Sequence, residues 1–348
     1  MVNSSDKTNF KELGLDTTDP VKREILSKRI NELPLKIQGT QLEVLINQLY
    51  QELANKGISF KPKCYLTDEW GCPHGIPVIG IPFYLADPKL SQLEGEITGI
   101  EAENDEEIMA FLRHESGHAF NYAHRLYLQP EWRGLFGLFN TPYKEDYKPK
   151  PFSSKFVRHL PGWYSQKHPD EDFAETFAVW LKPDSDWQKR YEDTPALTKL
   201  LYIERIAKEY GNKSAVVTEE TLDAPIEELN YTLVDWYDTS DEPKKKINLP
   251  VTFNEDLKIL FPSPIGGSGQ SVTIFLNNKR YKFSQEINNW TGIEREIIED
   301  LIDELAKRAE ILSLKIDPLK IEEATISVTA FITTLVMNYL FTDNFVKL

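Results

Sequence analysis

The stretch Arg113–His114–Glu115–Ser116–Gly117–His118 carries the spacing His–Glu–x–x–His inside a segment that predicts a helix from Asp105 to Leu128. Asn104 or Asp105 can cap that helix, acids fill its first turn, and Pro130 stops it. At 3.6 residues per turn, His114 and His118 stack one turn apart on one face, so two imidazoles can meet one ion. Neutral imidazole is a natural zinc ligand. Glu115 sits beside the same face, within reach of a water activated by the metal without being a ligand itself. Taken alone, the pattern also fits an exposed helix face with two ordinary histidines.

A second helix changes that balance. Tyr164–Ser–Gln–Lys–His168–Pro169–Asp170–Glu171–Asp172–Phe173–Ala174–Glu175 predicts a helix starting at Pro169, a favoured first helical position, and ending before Pro183. It places Glu171 and Glu175 one turn apart. Ala174 and Ala178 lie beside them and permit close approach to another helix, while Phe173, Phe177 and Leu181 form a packing stripe. A catalytic zinc site needs three protein ligands and an open position, and Glu171 is the right kind of third ligand. A ligating histidine usually donates its other ring N–H to a carboxylate, which Glu175 can supply. The bland alternative for both acids is a solvated helix face.

The stretches 71–90, 108–127 and 156–181 resemble a bacterial family of zinc-binding metallopeptidases within the gluzincin clan, the thermolysin-like group with His–Glu–x–x–His plus a downstream glutamate. His–Pro–x–Glu–Asp–x–Ala–Glu–Thr, followed by aromatic and small residues, carries most of that resemblance, which covers about residues 60–240. It implies His114, His118 and Glu171 as ligands of one Zn²⁺ per chain, Glu115 as general base, and Glu175 as the partner of a ligating histidine. Thermolysin-like enzymes use Asp where this chain has Glu175, so the longer side chain asks for a different helix spacing. Related zincins place a Tyr or His near the scissile carbonyl. Tyr164, seven residues before Glu171, is the candidate for that role and His168 the alternate. His74, His124 and His159 have no partner pattern and read as structural. Cys64, Cys72 and His74 lack a fourth ligand, so the cysteines read as buried thiols.

Around these motifs, the 348 residues suit one large domain or two ordinary ones, with 41% hydrophobic residues to build a core. A net charge of −15 argues against a nucleic-acid partner, because phosphate contacts need a basic surface. Two cysteines provide no disulfide framework, and Met1 to Leu13 lacks the apolar run of a signal peptide, so a cytoplasmic location is expected. Residues 1–13 read as loosely attached. Ser214 to Pro243 holds nine acids and no Lys or Arg, and Lys244–Lys245–Lys246 then reverses the sign. That shift suggests four parts: an N-terminal helical segment 1–57, a zinc metallopeptidase core 58–213, an acidic connector 214–243 and a C-terminal region 244–348 of unknown function. The acidic run lacks calcium-loop spacing.

Helices are expected across 20–56 with a break at Pro34, and over Pro195–Tyr210; strands are expected at Ile58–Leu66 and Val78–Leu85. Glu131 to Gly162 reads as an ordered aromatic loop. In the C-terminal region, Ser271–Phe275 and Arg280–Phe283 read as a hairpin around Asn277–Asn278, followed by a helix over 292–314. Ala324 to Thr342 has no charge; its Thr, Ser and Asn content and the acids before it favour a buried helix or strand pair over a membrane span.

The fold class expected is α+β: a zincin-like metallopeptidase core, with a small sheet packed on the metal helix, and a C-terminal mixed or helical region. The expected function is zinc-dependent hydrolysis of a peptide bond in a peptide or protein substrate. The strand near Ile79 is expected to pair with that substrate by strand addition, and no membrane partner is expected. The alternatives are a zinc-binding interaction or regulatory module without proteolytic activity, and a zinc hydrolase acting on a non-peptide amide.

Overall fold

The computed structural model describes residues 19–97, 104–143, 147–237, 247, 249–250, 253–262, 264 and 269–346. The expectation for residues 1–13 therefore lies outside the described residues, as do Asp238, Asp241, Glu242 and the lysines 244–246. The described chain is α+β and mostly helical. It forms two compact units: Met1–Pro142, Ser154–His159 and His168–Glu242 make the first, and Tyr143–Ser153, Leu160–Lys167 and Pro243–Leu348 the second.

The first unit runs through α1 (Pro20–Leu26), α2 (Gln41–Asn55), β1 (Lys63–Thr67), β2 (Val78–Pro82), α3 (Pro88–Ile97), α4 (Asp105–Ala123), α5 (Pro130–Phe136), α6 (Pro169–Leu181), α7 (Trp187–Arg190), α8 (Pro195–Tyr210) and α9 (Leu233–Tyr237). These boundaries correct the four-part division. Leu26, Ile30, Leu42 and Leu49 share one core with α4, α6 and α8, so residues 20–57 are part of the unit and not a separate segment. The acidic stretch also belongs to it, at least as far as Tyr237. Ile226, Leu229, Leu233, Val234 and Tyr237 are buried there, and Thr67 Oγ1 donates to the carbonyl of Ala224 at 2.8 Å. An apolar stripe hidden among acids pins this stretch down, where net charge alone suggested a free connector.

β1 and β2 pair in parallel, Tyr65 opposite Gly80. β2 is buried along all five residues, and beyond Pro82 the chain tightens into a 3₁₀ turn, Phe83–Ala86. Gly80 also exchanges both main-chain hydrogen bonds with Gly71. The expected strand addition at Ile79 is thus corrected: the chain folds back on that edge and uses its donors and acceptors itself.

α4 is capped by Asn104, whose Oδ1 accepts from the amides of Glu106 and Glu107. It ends at Ala123, five residues before the expected limit, and resumes as a 3₁₀ turn over Leu126–Leu128. A Cβ built on Gly117 would stand 2.8 Å from Ala174 Cα and 3.0 Å from Phe177 Cβ. Only hydrogen at position 117 lets α4 lie this close to α6. A buried bidentate ion pair, Arg113 to Glu52 at 2.7 and 2.8 Å, ties α4 to α2. His124 lies among the rings of Phe60, Phe120 and Tyr210. Neither of its ring nitrogens has a hydrogen-bond partner, and burial, with Lys213 adding to it, pulls its pKa below the usual value.

The second unit contains α10 (Phe253–Leu260), α11 (Val272–Thr291), α12 (Arg295–Ile311) and α13 (Ile321–Thr342), with a two-residue antiparallel pair, β3 (Gln270–Ser271) against β4 (Lys315–Ile316). The expected hairpin over 271–283 is corrected to the helix α11. Val272, Phe275, Leu276, Phe283 and Ile287 recur at helical spacing and fill the core, overriding the turn propensity of Asn277–Asn278. Arg280 reaches Asp303 at 2.8 Å and pairs with Glu299, locking α11 to α12. The uncharged C-terminal stretch is one helix, α13, whose buried face is Ala324, Val328, Ile332, Leu335, Val336, Tyr339 and Leu340. Its opposite face exposes Ile326 and Phe341. Pro318–Thr342 is long and apolar enough to cross a membrane by length and composition, with 39% of its most apolar window buried inside the chain.

Two measurements probe this packing. Gly117→Ala should destabilise the protein by about 1–3 kcal/mol through overpacking, read as a lowered urea midpoint; an unchanged midpoint would show that the helices can part at no cost. His124 has an unfolded-state value of about 6.5 and a lower folded one, so its contribution is complete above pH 6.5 and lost as the pH falls below it. His124→Phe should therefore lose less stability between pH 7 and pH 5 than the parent protein, and equal losses would sink this assignment.

Candidate metal centre

Two helix faces meet at the site. On α4, His114 and His118 are one turn apart, their ring centroids 4.9 Å from each other. On α6, the first turn carries Asp170, Glu171 and Asp172, where the positive end of the helix dipole favours acids. His168 caps this helix: its Nδ1 accepts from the amide of Asp170 at 3.1 Å and its Nε2 donates to the carbonyl of Thr141 at 2.7 Å. With both ring nitrogens committed, His168 has none left for an oxyanion.

Glu171 Oε2 lies 3.0 Å from His114 Nε2 and 3.3 Å from His118 Nε2, and the two Nε2 atoms are 3.1 Å apart. The other ring nitrogens are held from behind. His114 Nδ1 faces Glu175 Oε1 at 3.0 Å, and His118 Nδ1 faces Asp170 Oδ2 at 3.0 Å. An ionised carboxylate can only accept, so each Nδ1 carries a hydrogen, and each ring presents its Nε2 lone pair inward when that nitrogen gives up its proton. Three donor atoms then converge on one point, a place for positive charge carried either by imidazole protons or by a cation that replaces them. Tetrahedral zinc with bonds of about 2.0–2.1 Å has ligand–ligand edges of roughly 3.3 Å, so the three atoms match the spacing that zinc demands. Among the described residues, this is the group of His, Cys, Asp and Glu close enough to share one ion.

The electrostatics show the same appetite for positive charge. Burial depresses the His114 pKa, but its bonds to Glu171 and Glu175 outweigh this and lift it to about 9. His118 is raised well above its usual value in the same way, by Asp170 and Glu171 against burial. Glu171, although burial pushes it up, is held well below the carboxylate range by the two imidazoles. Glu115 behaves differently. Burial pushes its carboxyl up despite both imidazoles, and its Oε2 is buried without a hydrogen-bond partner.

Asp170 and its neighbours were not singled out in the sequence. Asp170 Oδ2 accepts from Tyr122 as well as His118, and Oδ1 accepts from Asn121 Nδ2 at 2.8 Å. Asn121 and Tyr122 stand three and four residues after His118, continuing the metal face of α4, which was the available signal. Glu175 Oε2 accepts the amide of His159 at 3.1 Å, so its longer side chain is fixed at both oxygens. Asp172 points elsewhere, to Lys199 at 2.6 Å; burial raises its pKa to about 7, against the pull of that lysine.

Of the remaining candidates, Tyr164 is half-buried in the 3₁₀ segment Pro161–Gln166, within the second unit, with the Lys167 ammonium 5.1 Å from its ring. Cys64 and Cys72 are free thiols, and Cys72 Sγ donates to the carbonyl of Glu115 at 3.3 Å. His159 bonds the carbonyl of Ala110 at 2.9 Å, and the exposed His74 packs on Phe139. Comparison with protein-family models, curated proteins and solved structures finds no match to this chain.

If Asp170 and Glu175 orient the rings, Asp170→Asn and Glu175→Gln should each weaken zinc binding by about 10- to 100-fold in chelator competition while leaving the helical circular dichroism intact. Unchanged affinity in both variants would reduce these carboxylates to packing.

Proposed function

We propose that this protein is a zinc-dependent metallopeptidase with a zincin-like first unit, hydrolysing a peptide bond in a peptide or protein substrate. The observation that carries the reading is the convergence of His114 Nε2, His118 Nε2 and Glu171 Oε2 within 3.0–3.3 Å, beside a buried carboxylate with an unpartnered oxygen. The chemistry that zinc supplies in such a site is Lewis acidity, which brings the pKa of a water toward about 7 and polarises a carbonyl.

The rest falls to the chain's own residues. His114, His118 and Glu171 would hold the ion, three ligands leaving a position open. Glu115, its proton affinity raised by burial, would take a proton from water at its Oε2 and pass it to the leaving amine. Asp170 and Glu175 would keep both imidazoles in the ligating tautomer. The candidacy of Tyr164 for steadying an oxyanion rests on its sequence spacing from Glu171 alone, since Tyr164 belongs to the second unit. A cytoplasmic setting and an absence of nucleic-acid partners belong to the same proposal, motivated by the −15 charge and the count of only two cysteines.

A zinc-binding regulatory module is the second reading, favoured by one observation: His114, His118 and Glu171 are only 2%, 6% and 5% exposed. Glu115 argues against it, since a purely structural site has no use for a base.

Purified protein should carry close to one zinc per chain, and Glu115→Gln should lose about 10²- to 10⁴-fold in peptide hydrolysis while keeping its metal. Full activity in Glu115→Gln would refute the peptidase mechanism. Stoichiometric zinc with no cleavage of a broad peptide library would favour the regulatory module.

A further inference from the structure

A cavity of about 610 Å³ lies in the second unit, between α10 and the first turns of α13. Its volume is in the range of sites that enclose a ligand or the side chains of a partner. Lys320, Glu323, Ser327 and Phe331 line it at intervals of three or four residues, so it follows one face of α13 for about 16 Å at a rise of about 1.5 Å per residue. That makes it a groove. Its apolar lining comes from Leu260 and Phe261 at the end of α10, Ile316 on β4, and Phe331, whose ring packs 5.9 Å from that of Phe253. Pro262 and Pro264 add a stretch with fixed φ and no amide donor. A Cβ on Gly269 would stand 2.9 Å from Pro264 Cγ and 2.8 Å from the Ile316 carbonyl oxygen, so bare backbone holds Pro264 against β4.

Three carboxylates, Asp256, Asp317 and Glu323, line the same groove with a single ammonium, Lys320. A structural account covers part of this. Asp256 and Glu323 sit in first helical turns, where the helix dipole favours acids, and Asp317 Oδ1 accepts the Leu319 amide at 3.0 Å as a cap. It does not supply a counter-charge. Lys258 on α10 is taken by Glu255 at 2.7 Å, and among the described residues the Asp256 and Glu323 side chains have no partner. Nor does it explain the apolar surface. Ile259 is 78% exposed at the groove, and Leu319 and Ile326, next in sequence to lining residues, are exposed as well. Single exposed apolar residues need no reason, but several gathered at one charged concavity mark an interaction surface. They also reach past the groove, where a small molecule seated inside would leave them uncovered.

We propose that this groove docks a basic amphipathic helix of a partner protein, its apolar side chains in the groove and its Lys or Arg residues against Asp256, Asp317 and Glu323. The shape favours a helix, because a groove along three turns of α13 meets anchors spaced i, i+3 or i+4, and i+7. Charge sets the sign of the partner. The groove carries an excess of carboxylates, and the whole chain, at −15, steers a basic partner inward and repels a second copy of itself. The surface lies within the second unit and does not depend on the peptidase reading.

The probe is a fluorescein-labelled amphipathic Leu–Lys peptide, followed by anisotropy against the full chain at physiological ionic strength, with a Leu–Glu peptide of the same pattern as reference. Saturable binding of the Leu–Lys peptide is expected, and none of the reference. Ile259→Ser, at an exposed position that spares the core, should weaken binding by about 5- to 30-fold. Asp256→Asn/Glu323→Gln should weaken it by about 3- to 10-fold, more at low salt than at high. Glu227→Gln/Glu228→Gln removes the same charge from the first unit and should leave the affinity unchanged. An equal loss in that control, equal binding of both peptides, or undiminished binding by the groove variants overturns the proposal. So does a dimer in sedimentation that Ile259→Ser dissociates, which gives the groove to a second copy. Binding to phosphatidylcholine vesicles that Ile259→Ser abolishes also overturns it, giving the surface to a membrane.

Discussion

The structure depends on two buried carboxylates standing behind two imidazoles. Asp170 and Glu175, almost wholly excluded from solvent, take the Nδ1 hydrogens of His118 and His114 and so force both Nε2 lone pairs toward Glu171. Burying this many acids is costly unless each is paired. Most of them are paired: Asp170 answers to His118, Tyr122 and Asn121, Glu175 to His114 and the His159 amide, and one oxygen of Asp172 to Lys199, while Glu115 Oε2 is left without a partner. The convergence of His114 Nε2, His118 Nε2 and Glu171 Oε2 draws positive charge, which a divalent cation would supply in place of imidazole protons. The cluster is therefore costly as a purely structural device and well suited as a ligand set.

That arrangement requires the two helices to touch. Gly117 lies on α4 between the histidines, facing Ala174, which sits between Glu171 and Glu175 on α6. The small residues and the ligands alternate along the same pair of faces, so helix packing and metal geometry are one constraint. The outer fastening uses longer levers. Arg113 anchors α4 to α2 through Glu52, and Lys199 holds α6 to α8 through Asp172. Each is a buried charge pair whose partners lie far apart in sequence, which favours specificity of alignment over raw stability.

What was legible in the sequence was local. The i, i+4 spacings of His114/His118 and Glu171/Glu175 survive into the structure because a helix preserves them whatever it packs against. Helix starts at Asp105, Pro169 and Pro195 were equally readable, since caps, first-turn acids and N1 prolines act within a few residues. The errors arose where local chemistry was ambiguous. Asn277–Asn278 looks like a turn until Val272, Phe275, Leu276, Phe283 and Ile287 find a common core. The acidic stretch looks like a solvated connector until Leu229, Leu233 and Val234 are buried beneath its charges.

The sequence by itself determined which side chains could ligate, because metal chemistry admits few donors and helix geometry fixes their spacing. It also pointed to Glu115 as the proposed base, from its place beside the first histidine. Only the tertiary structure decided that Asp170 rather than Asp172 orients His118, that His168 caps a helix, and that β2 has its edge closed by Gly71. These outcomes turn on which of several similar groups is brought within hydrogen-bond distance of a residue far along the chain. That proximity comes from long-range packing, which local spacing does not encode.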